Sequence, residues 1–124
     1  MNLIQLIIEN CEIKSRGLKR YLSYYSQKKN KVANLIKFEK KATKIEKIYD
    51  RKICSKIFNF KCYKRSLVMY KYCCLNGIDC KFIMGMRSLS NNRRFGHAWV
   101  EVNGEPYLEK IDLKIFHVIF EYEN

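Results

Sequence analysis

The order of helix and sheet is decided within residues 62–87, which read CYKRSLVMYKYCCLNGIDCKFIMGMR. Apolar residues recur there at three- and four-residue spacing, which predicts a helix over residues 62–75. Asn76-Gly77 predicts the end of this helix, because glycine accepts the left-handed backbone conformation in which many helices stop. The residues that follow have the pattern of a β-strand, which we expect over residues 80–87.

The chain before this stretch has the pattern of helices. Apolar residues occur at helical spacing over residues 2–14 and again over about 17–53, with lysines between them. Breaks are predicted near Arg16-Gly17 and near Lys29-Asn30, where turn-forming residues interrupt the pattern. The apolar positions of the second segment include Leu18, Tyr21, Leu22, Tyr25, Val32, Leu35, Ile36, Ile45 and Ile48. We therefore expect short amphipathic helices that expose their lysines.

The chain after residue 87 has the pattern of further strands. Residues 88–94 are polar and predict a loop. Strands are predicted over residues 95–102, 105–110 and 114–122. Strands that follow one another through short connections favour an antiparallel meander. N-terminal helices followed by an antiparallel sheet form an α+β fold.

Positive charge is concentrated in the first part of the chain. Residues 1–75 carry a net charge of +14 and residues 76–124 carry −1. The 124 residues have room for a single domain, 1–124, with a basic helical part over 1–53 and a core over 54–124. A basic surface can bind nucleic acid or an anionic membrane, but a lysine-rich helical face is more often simply solvated. We therefore expect no membrane partner and no nucleic acid.

The cysteines and the apolar runs limit the class of protein further. The six cysteines include no C-x-x-C pair, and the two histidines have no paired cysteines nearby, so zinc spacing is absent. The N-terminus lacks the features of a signal peptide, and no apolar run approaches the ~20 residues of a membrane span. We expect a cytoplasmic protein without a cofactor, in which most thiols are small buried apolar side chains.

Three residues with complementary chemistry follow one another along the chain: Cys62 at the start of a predicted helix, His97 in a strand and Glu109 in the next strand. The positive end of a helix dipole favours thiolate over thiol. An imidazole within reach can take the thiol proton and later protonate a leaving amine. A carboxylate on the other ring nitrogen fixes the tautomer. Each residue alone is more often structural, so spacing by itself leaves both interpretations open.

The hairpin at Asn103-Gly104 leaves two registers open. A two-residue turn sends Glu109 to the face of the sheet opposite His97. A three-residue loop places the two side chains directly across from each other on one face. We expect the three-residue loop if Cys62, His97 and Glu109 form one site.

Four short motifs occur in a characteristic order. They are Cys62-Tyr-Lys-Arg-Ser-Leu67, Asn76-Gly-Ile78, Phe82-Ile-Met-Gly-Met-Arg87 and His97-Ala-Trp-Val-Glu101. This order resembles the leader peptidases of lasso-peptide biosynthesis, which are transglutaminase-like cysteine proteases. Their pattern is Cys-Leu-x-Arg-Ser-Leu, a Gly-Ile turn, an Ile-Gly-Val-Arg strand and His-Ala-Trp-Val-Glu. The resemblance covers about residues 50–120.

The resemblance implies a transglutaminase/papain-like fold and cleavage of the leader from a ribosomally made precursor peptide. It implies Cys62 as the nucleophile and His97 as the general base. The family usually has Asp twelve residues after the histidine, where this chain has Glu109, which makes Glu109 the implied third member. The implied partners are the precursor peptide, a small leader-recognition protein and the lasso cyclase that closes the macrolactam.

Two other functions are open at the level of sequence. A non-catalytic basic adaptor would bind nucleic acid or an acidic protein through residues 1–75, with a steep salt dependence for nucleic acid and no selective alkylation of Cys62. A transglutaminase-like acyl transferase would use the same nucleophile but pass the acyl group to an amine. An amine adduct in place of a hydrolysed acid distinguishes this activity from proteolysis.

Overall fold

The computed structural model describes residues 2–50, 61–88 and 94–124, and the fold in them is α+β. Four helices precede four strands in these residues. The elements are α1 (Leu3–Arg16), α2 (Leu18–Gln27), α3 (Leu35–Tyr49), α4 (Lys61–Leu75), β1 (Cys80–Ser88), β2 (Arg94–Val102), β3 (Glu105–Pro106) and β4 (His117–Glu123), with a 3₁₀ turn at Leu113–Ile115. The predicted loop over 88–94, apart from its two end residues, lies outside the described residues.

The N-terminal helices begin and end near the predicted positions because polar caps and a glycine define their ends. The side chain of Asn2 accepts a hydrogen bond from the backbone N–H of Gln5, and Asn34 caps α3 in the same way through Lys37. Gly17, at φ 76°, separates α1 from α2. The predicted break at Arg16-Gly17 is confirmed.

The connection between α2 and α3 packs against the end of α4. A Cβ atom on Gly77 would lie 2.6 Å from the carbonyl oxygen of Val32, so only glycine permits this approach. The backbone N–H of Asn30 donates to the carbonyl of Cys74. Apolar residues that we expected on the buried side of this region point outward instead: Val32 is 72%, Leu35 50% and Ile36 71% exposed.

The four strands form one antiparallel sheet in the order β3-β2-β1-β4. The predicted meander is therefore wrong, because β4 pairs with β1 and not with β3. The connection from β3 to β4 runs across the sheet face that α4 does not cover, where Phe116 packs with Ile83 and Trp99. Burial of this aromatic ring explains why the chain crosses to the far edge.

Helix α4 lies at the centre of the molecule and positions the first predicted site residue. It packs against all three N-terminal helices and against β1 and β2. Its buried side chains, among them Leu67, Val68 and Tyr70, join Phe82 and Val100 of the sheet in the main core. The start of α4 is thereby held beside β2.

Candidate active site

Cys62 lies in the first turn of α4, one residue after the helix begins. Its side chain is half-buried. The thiol accepts hydrogen bonds from the backbone N–H groups of Ala98 and Tyr63 and forms a hydrogen bond with the His97 side chain. Cys62 therefore lies at the start of a helix, as the sequence predicts, and the helix start holds the sulfur against β2.

The edge of β2 is open to α4 because β3 is short. The predicted strand over 105–110 is wrong beyond Pro106, where pairing with β2 ends. Ala98 lies on β2 farther from the hairpin than the residues that pair with β3. Its N–H and C=O point to the edge that a longer β3 would have occupied. The N–H bonds the Cys62 thiol, and the C=O lies 2.9 Å from the Ser66 hydroxyl. Early termination of β3 thus lets the helix reach the strand.

His97 connects the thiol to a carboxylate. Its Nε2 lies 2.9 Å from Oε2 of Glu109. Because that nitrogen is taken, Nδ1 is left for the hydrogen bond with Cys62. The side chains of His97 and Glu109 are each only 5% exposed. The three residues singled out in the sequence therefore lie in one hydrogen-bonded row.

The hairpin register differs from the one that we expected for such a row. Val102 pairs with Glu105, so the turn is the two-residue turn at Asn103-Gly104 with φ 53° and 81°. A regular strand would then send Glu109 to the wrong face. The chain instead leaves the strand conformation at Leu108, which has φ 52°. This left-handed residue redirects the next side chain toward His97, so a loop and not a strand supplies the carboxylate.

Arg65 holds Glu109 from the other side. Its guanidinium lies 2.6 Å from Oε1 of Glu109, the oxygen that His97 does not use. It also lies 3.4 Å from a carboxylate oxygen of Glu46 on α3. Arg65 was not predicted as a site residue, although its position three residues after Cys62 places both side chains on one face of a helix. That spacing was the available signal.

Aromatic rings cover the imidazole. The His97 ring stacks on Trp99 at 5.9 Å between ring centroids and on Phe116 at 5.4 Å. Trp99 is itself only 3% exposed. These rings keep water from the hydrogen bond between His97 and Glu109, and charge interactions are stronger where water is excluded.

The electrostatics favour an ion pair between the thiol and the imidazole. Burial raises the pKa of Cys62, but the hydrogen bonds from His97 and two backbone N–H groups outweigh burial, so the pKa is lowered. Burial lowers the pKa of His97, but its hydrogen bonds with Cys62 and Glu109 and the nearby negative charge raise it to about 9. The favoured state is therefore a thiolate beside an imidazolium.

The other described thiols differ from Cys62 in their surroundings. Cys73, Cys74 and Cys80 are buried in the main core, as predicted for most of the thiols. Cys11 is exposed, and Cys54 lies outside the described residues. Only Cys62, among the thiols in the described part of the chain, is hydrogen-bonded to a histidine.

Residues 2–50, 61–88 and 94–124 have neither a metal-binding cluster nor a membrane-spanning helix. These ranges contain no group of three or more His, Cys, Asp or Glu side chains placed to hold a metal ion. None of their helices combines the length and the apolar character needed to cross a membrane.

Comparison with known proteins identifies the family. The model of the transglutaminase-like superfamily matches residues 12–121, which run from α1 into β4. The match spans most of the chain, and the chain belongs to this superfamily, which includes cysteine proteases and acyltransferases. No curated protein and no solved structure matches the chain.

Proposed function

We propose that this transglutaminase-like protein is a cysteine endopeptidase that removes the leader from a ribosomally made lasso-peptide precursor. The observation that carries the proposal is the row of Cys62, His97 and Glu109, joined by hydrogen bonds. Cys62 and His97 also line a cavity of about 520 Å³, which gives a substrate access to the sulfur. The order of sequence motifs supports the choice of substrate, since it resembles that of lasso leader peptidases.

The first chemical step in this proposal is attack of the Cys62 thiolate on the scissile carbonyl carbon. A C–S bond forms, and the carbonyl oxygen takes the negative charge. N–H groups in the first turn of α4 supply donors for that oxygen, since the first amides of a helix have no partner within it. His97 then gives its proton to the departing amine as the C–N bond breaks, which leaves an acyl-enzyme.

The second step releases the leader. His97, now neutral, takes a proton from water, and the hydroxide attacks the thioester carbonyl. The C–S bond breaks, the carboxylic acid leaves, and the thiolate beside the imidazolium is restored. Glu109 stabilises the imidazolium at both stages through the 2.9 Å hydrogen bond.

Under this proposal the protein acts in the cytoplasm together with two other proteins. A small recognition protein holds the leader of the precursor peptide, and a lasso cyclase closes the macrolactam after cleavage. The chemistry within the described site uses side chains of this chain alone and requires no cofactor.

Replacement of the nucleophile tests the proposal. The full chain is mixed with the precursor peptide encoded beside its gene and with the leader-binding protein, and peptide masses are followed with time. Cys62→Ala should abolish leader release, because the acyl-enzyme cannot form. Circular dichroism should show an unchanged fold, since the Cys62 side chain lies at the edge of the core.

Cys11→Ala provides the matched control, because it removes an exposed thiol that lies on α1. This variant should cleave the precursor at the wild-type rate. Cleavage by Cys62→Ala at a rate similar to that of the wild type would contradict the proposal.

Acyl transfer is the second candidate function, because the superfamily includes acyltransferases and the proposed acyl-enzyme is common to both reactions. A primary amine such as cadaverine, added to the same assay, separates the two. Under the endopeptidase proposal the product is the free acid at every amine concentration. An amine adduct that replaces the acid would favour acyl transfer.

A further inference from the structure

The cavity beside Cys62 is lined mostly by apolar groups. Its volume of about 520 Å³ lies within the range of small-molecule and side-chain binding pockets. Apart from Cys62 and His97, its lining consists of apolar side chains and two glycines. The apolar side chains are Leu18, Tyr63, Met84, Met86, Ala98 and Ile119.

The register of the sheet explains how the cavity is built. Met84 pairs with Ala98, and Met86 pairs with Gly96, so all four residues face the same side of the sheet. Helix α2 contributes Leu18 to the wall, α4 contributes Cys62 and Tyr63, and β4 contributes Ile119. Because neither Gly96 nor Ala98 carries a large side chain, space remains beside the two methionines, although Met84 also packs against the main core.

We propose, on the basis of the peptidase function above, that this cavity binds a large apolar side chain of the substrate next to the scissile bond. A charged side chain would lose its water there, since the described lining carries no charge apart from the ion pair of Cys62 and His97. Methionine side chains are flexible and polarisable, so the walls adapt to aliphatic and aromatic groups alike. Because Cys62 and His97 form part of the lining, a bound side chain lies beside the reacting sulfur.

The two glycines of the cavity differ in what a side chain would meet. A Cβ atom on Gly85 would lie 2.8 Å from Cβ of Phe116, so no side chain fits there. A Cβ atom on Gly96 would lie 3.5 Å from Sδ of Met86, which is an ordinary van der Waals contact. A side chain at position 96 is therefore tolerated by the fold and occupies the cavity.

Alkylation of Cys62 by two reagents tests this inference without the natural substrate. Iodoacetamide and N-hexyl iodoacetamide react by the same step, in which the thiolate forms a C–S bond and iodide leaves as the C–I bond breaks. The rate constant of each reagent at Cys62 is measured by peptide mass mapping. The ratio of the hexyl to the small reagent is then divided by the same ratio for glutathione.

The wild-type ratio should exceed that of glutathione by about tenfold, the gain expected from burying roughly two methylene groups. Gly96→Leu should return the ratio to near that of glutathione, because the leucine fills the space. Gly96→Ala should give an intermediate ratio. Ala33→Leu adds the same kind of bulk at an exposed position outside the cavity and should keep the wild-type ratio.

The possible failures are distinguishable. A wild-type ratio equal to that of glutathione, or a ratio that Gly96→Leu leaves unchanged, would overturn the apolar subsite and leave the peptidase proposal standing. Iodoacetamide that modifies Cys62 no faster than the exposed Cys11 would instead contradict the activated thiolate, and with it the peptidase proposal.

Discussion

Helix α4 carries two buried ion-pair clusters, one at Lys71 and one at Arg65, and only the second connects to a nucleophile. Nζ of Lys71 lies 2.8 Å from Glu9 and 3.2 Å from Glu12, both on α1. The other oxygen of Glu9 accepts a 2.9 Å hydrogen bond from the hydroxyl of Tyr72. The charges in this cluster are thus satisfied between two helices, and the cluster holds α1 against α4.

The Arg65 cluster likewise joins one cation of α4 to two carboxylates, but it has a different neighbour. One oxygen of Glu109 pairs with Arg65 at 2.6 Å, and the other bonds His97 at 2.9 Å. A change of charge on Glu109 therefore alters the pKa of His97 and, through His97, the pKa of Cys62. The residue next to a buried ion pair, and not the charges within the pair, therefore decides whether the pair affects the chemistry of the site.

Glu109→Gln should give the largest effect on activity among changes to these clusters. Loss of the carboxylate charge lets the pKa of His97 fall, so less of the enzyme holds the thiolate and imidazolium. We expect kcat for leader cleavage to fall by about 10²-fold or more, the size of a typical general acid–base contribution. The measurement is the rate of precursor cleavage, with the alkylation rate of Cys62 as a second readout.

Glu9→Gln is the matched control, because it makes the same chemical change in the Lys71 cluster. The Glu9 side chain is 4% exposed, so we expect the free energy of unfolding to fall by about 1–3 kcal/mol. Cleavage at a temperature where the variant is folded should equal that of the wild type. Equal losses of activity in the two variants would show that the position beside His97 has no special role.

The pH dependence of the cleavage rate should also distinguish the Arg65 cluster from the Lys71 cluster. The pKa of His97 is raised from 6.5 to about 9, so kcat/KM should fall by about tenfold for each pH unit above this value as the imidazolium loses its proton. Below the lowered pKa of Cys62 the thiolate is lost and the rate falls again. The pKa of Lys71 is raised above its ordinary 10.5, so Lys71 keeps its charge over the range in which His97 titrates.

The raised pKa of His97 also makes the stability of the fold depend on pH. Because the folded pKa of His97 exceeds the unfolded value of 6.5, its stabilising contribution is fully present below pH 6.5 and is lost as the pH rises through about 9. A pH–rate profile and unfolding curves over this window check both statements. An upper limb of the rate profile near pH 6.5 would contradict the ion pair.

Arg65→Lys should lower activity less than Glu109→Gln does. Lysine keeps the positive charge beside Glu109 but lacks the planar fork that reaches both carboxylates. The loss of one hydrogen bond, worth ~1 kcal/mol, corresponds to a fall in kcat of about fivefold. The upper limb of the pH profile should move to lower pH, which a purely structural role would not produce.

Lys71→Arg is the control for this variant, since it makes the reverse exchange in the cluster without a histidine. It should leave both kcat and the position of the upper limb unchanged. An identical pH profile for Arg65→Lys and the wild type would remove Arg65 from the row of interacting groups.

Local patterns predicted most of the fold. Helical spacing, the caps and the Asn76-Gly77 signal depend on residues near one another in the chain, and the helices lie where these patterns placed them, apart from the longer connection around Val32. The strands β1 and β2 were predicted for the same reason. The residue types of Cys62, His97 and Glu109 were enough to single them out.

The sheet order was predicted wrongly, and the path of the chain from the hairpin to Glu109 was not predicted, because both depend on distant partners. Phe116 crosses the sheet to pack with Ile83 and Trp99, which no local pattern encodes. The left-handed conformation of Leu108 is unusual for a residue with a branched side chain. It is not readable from residues 105–110 alone.

The amino-acid sequence by itself determined which segments become helix or strand and which three side chains have complementary chemistry. Only the tertiary structure decided that they meet, and that Arg65 joins them. Contact between the start of α4 and the open edge of β2 at Ala98 joins residues that are 32 positions apart in the chain, and local sequence patterns do not encode it. Here the short β3 leaves that edge to Cys62 and Ser66 of α4.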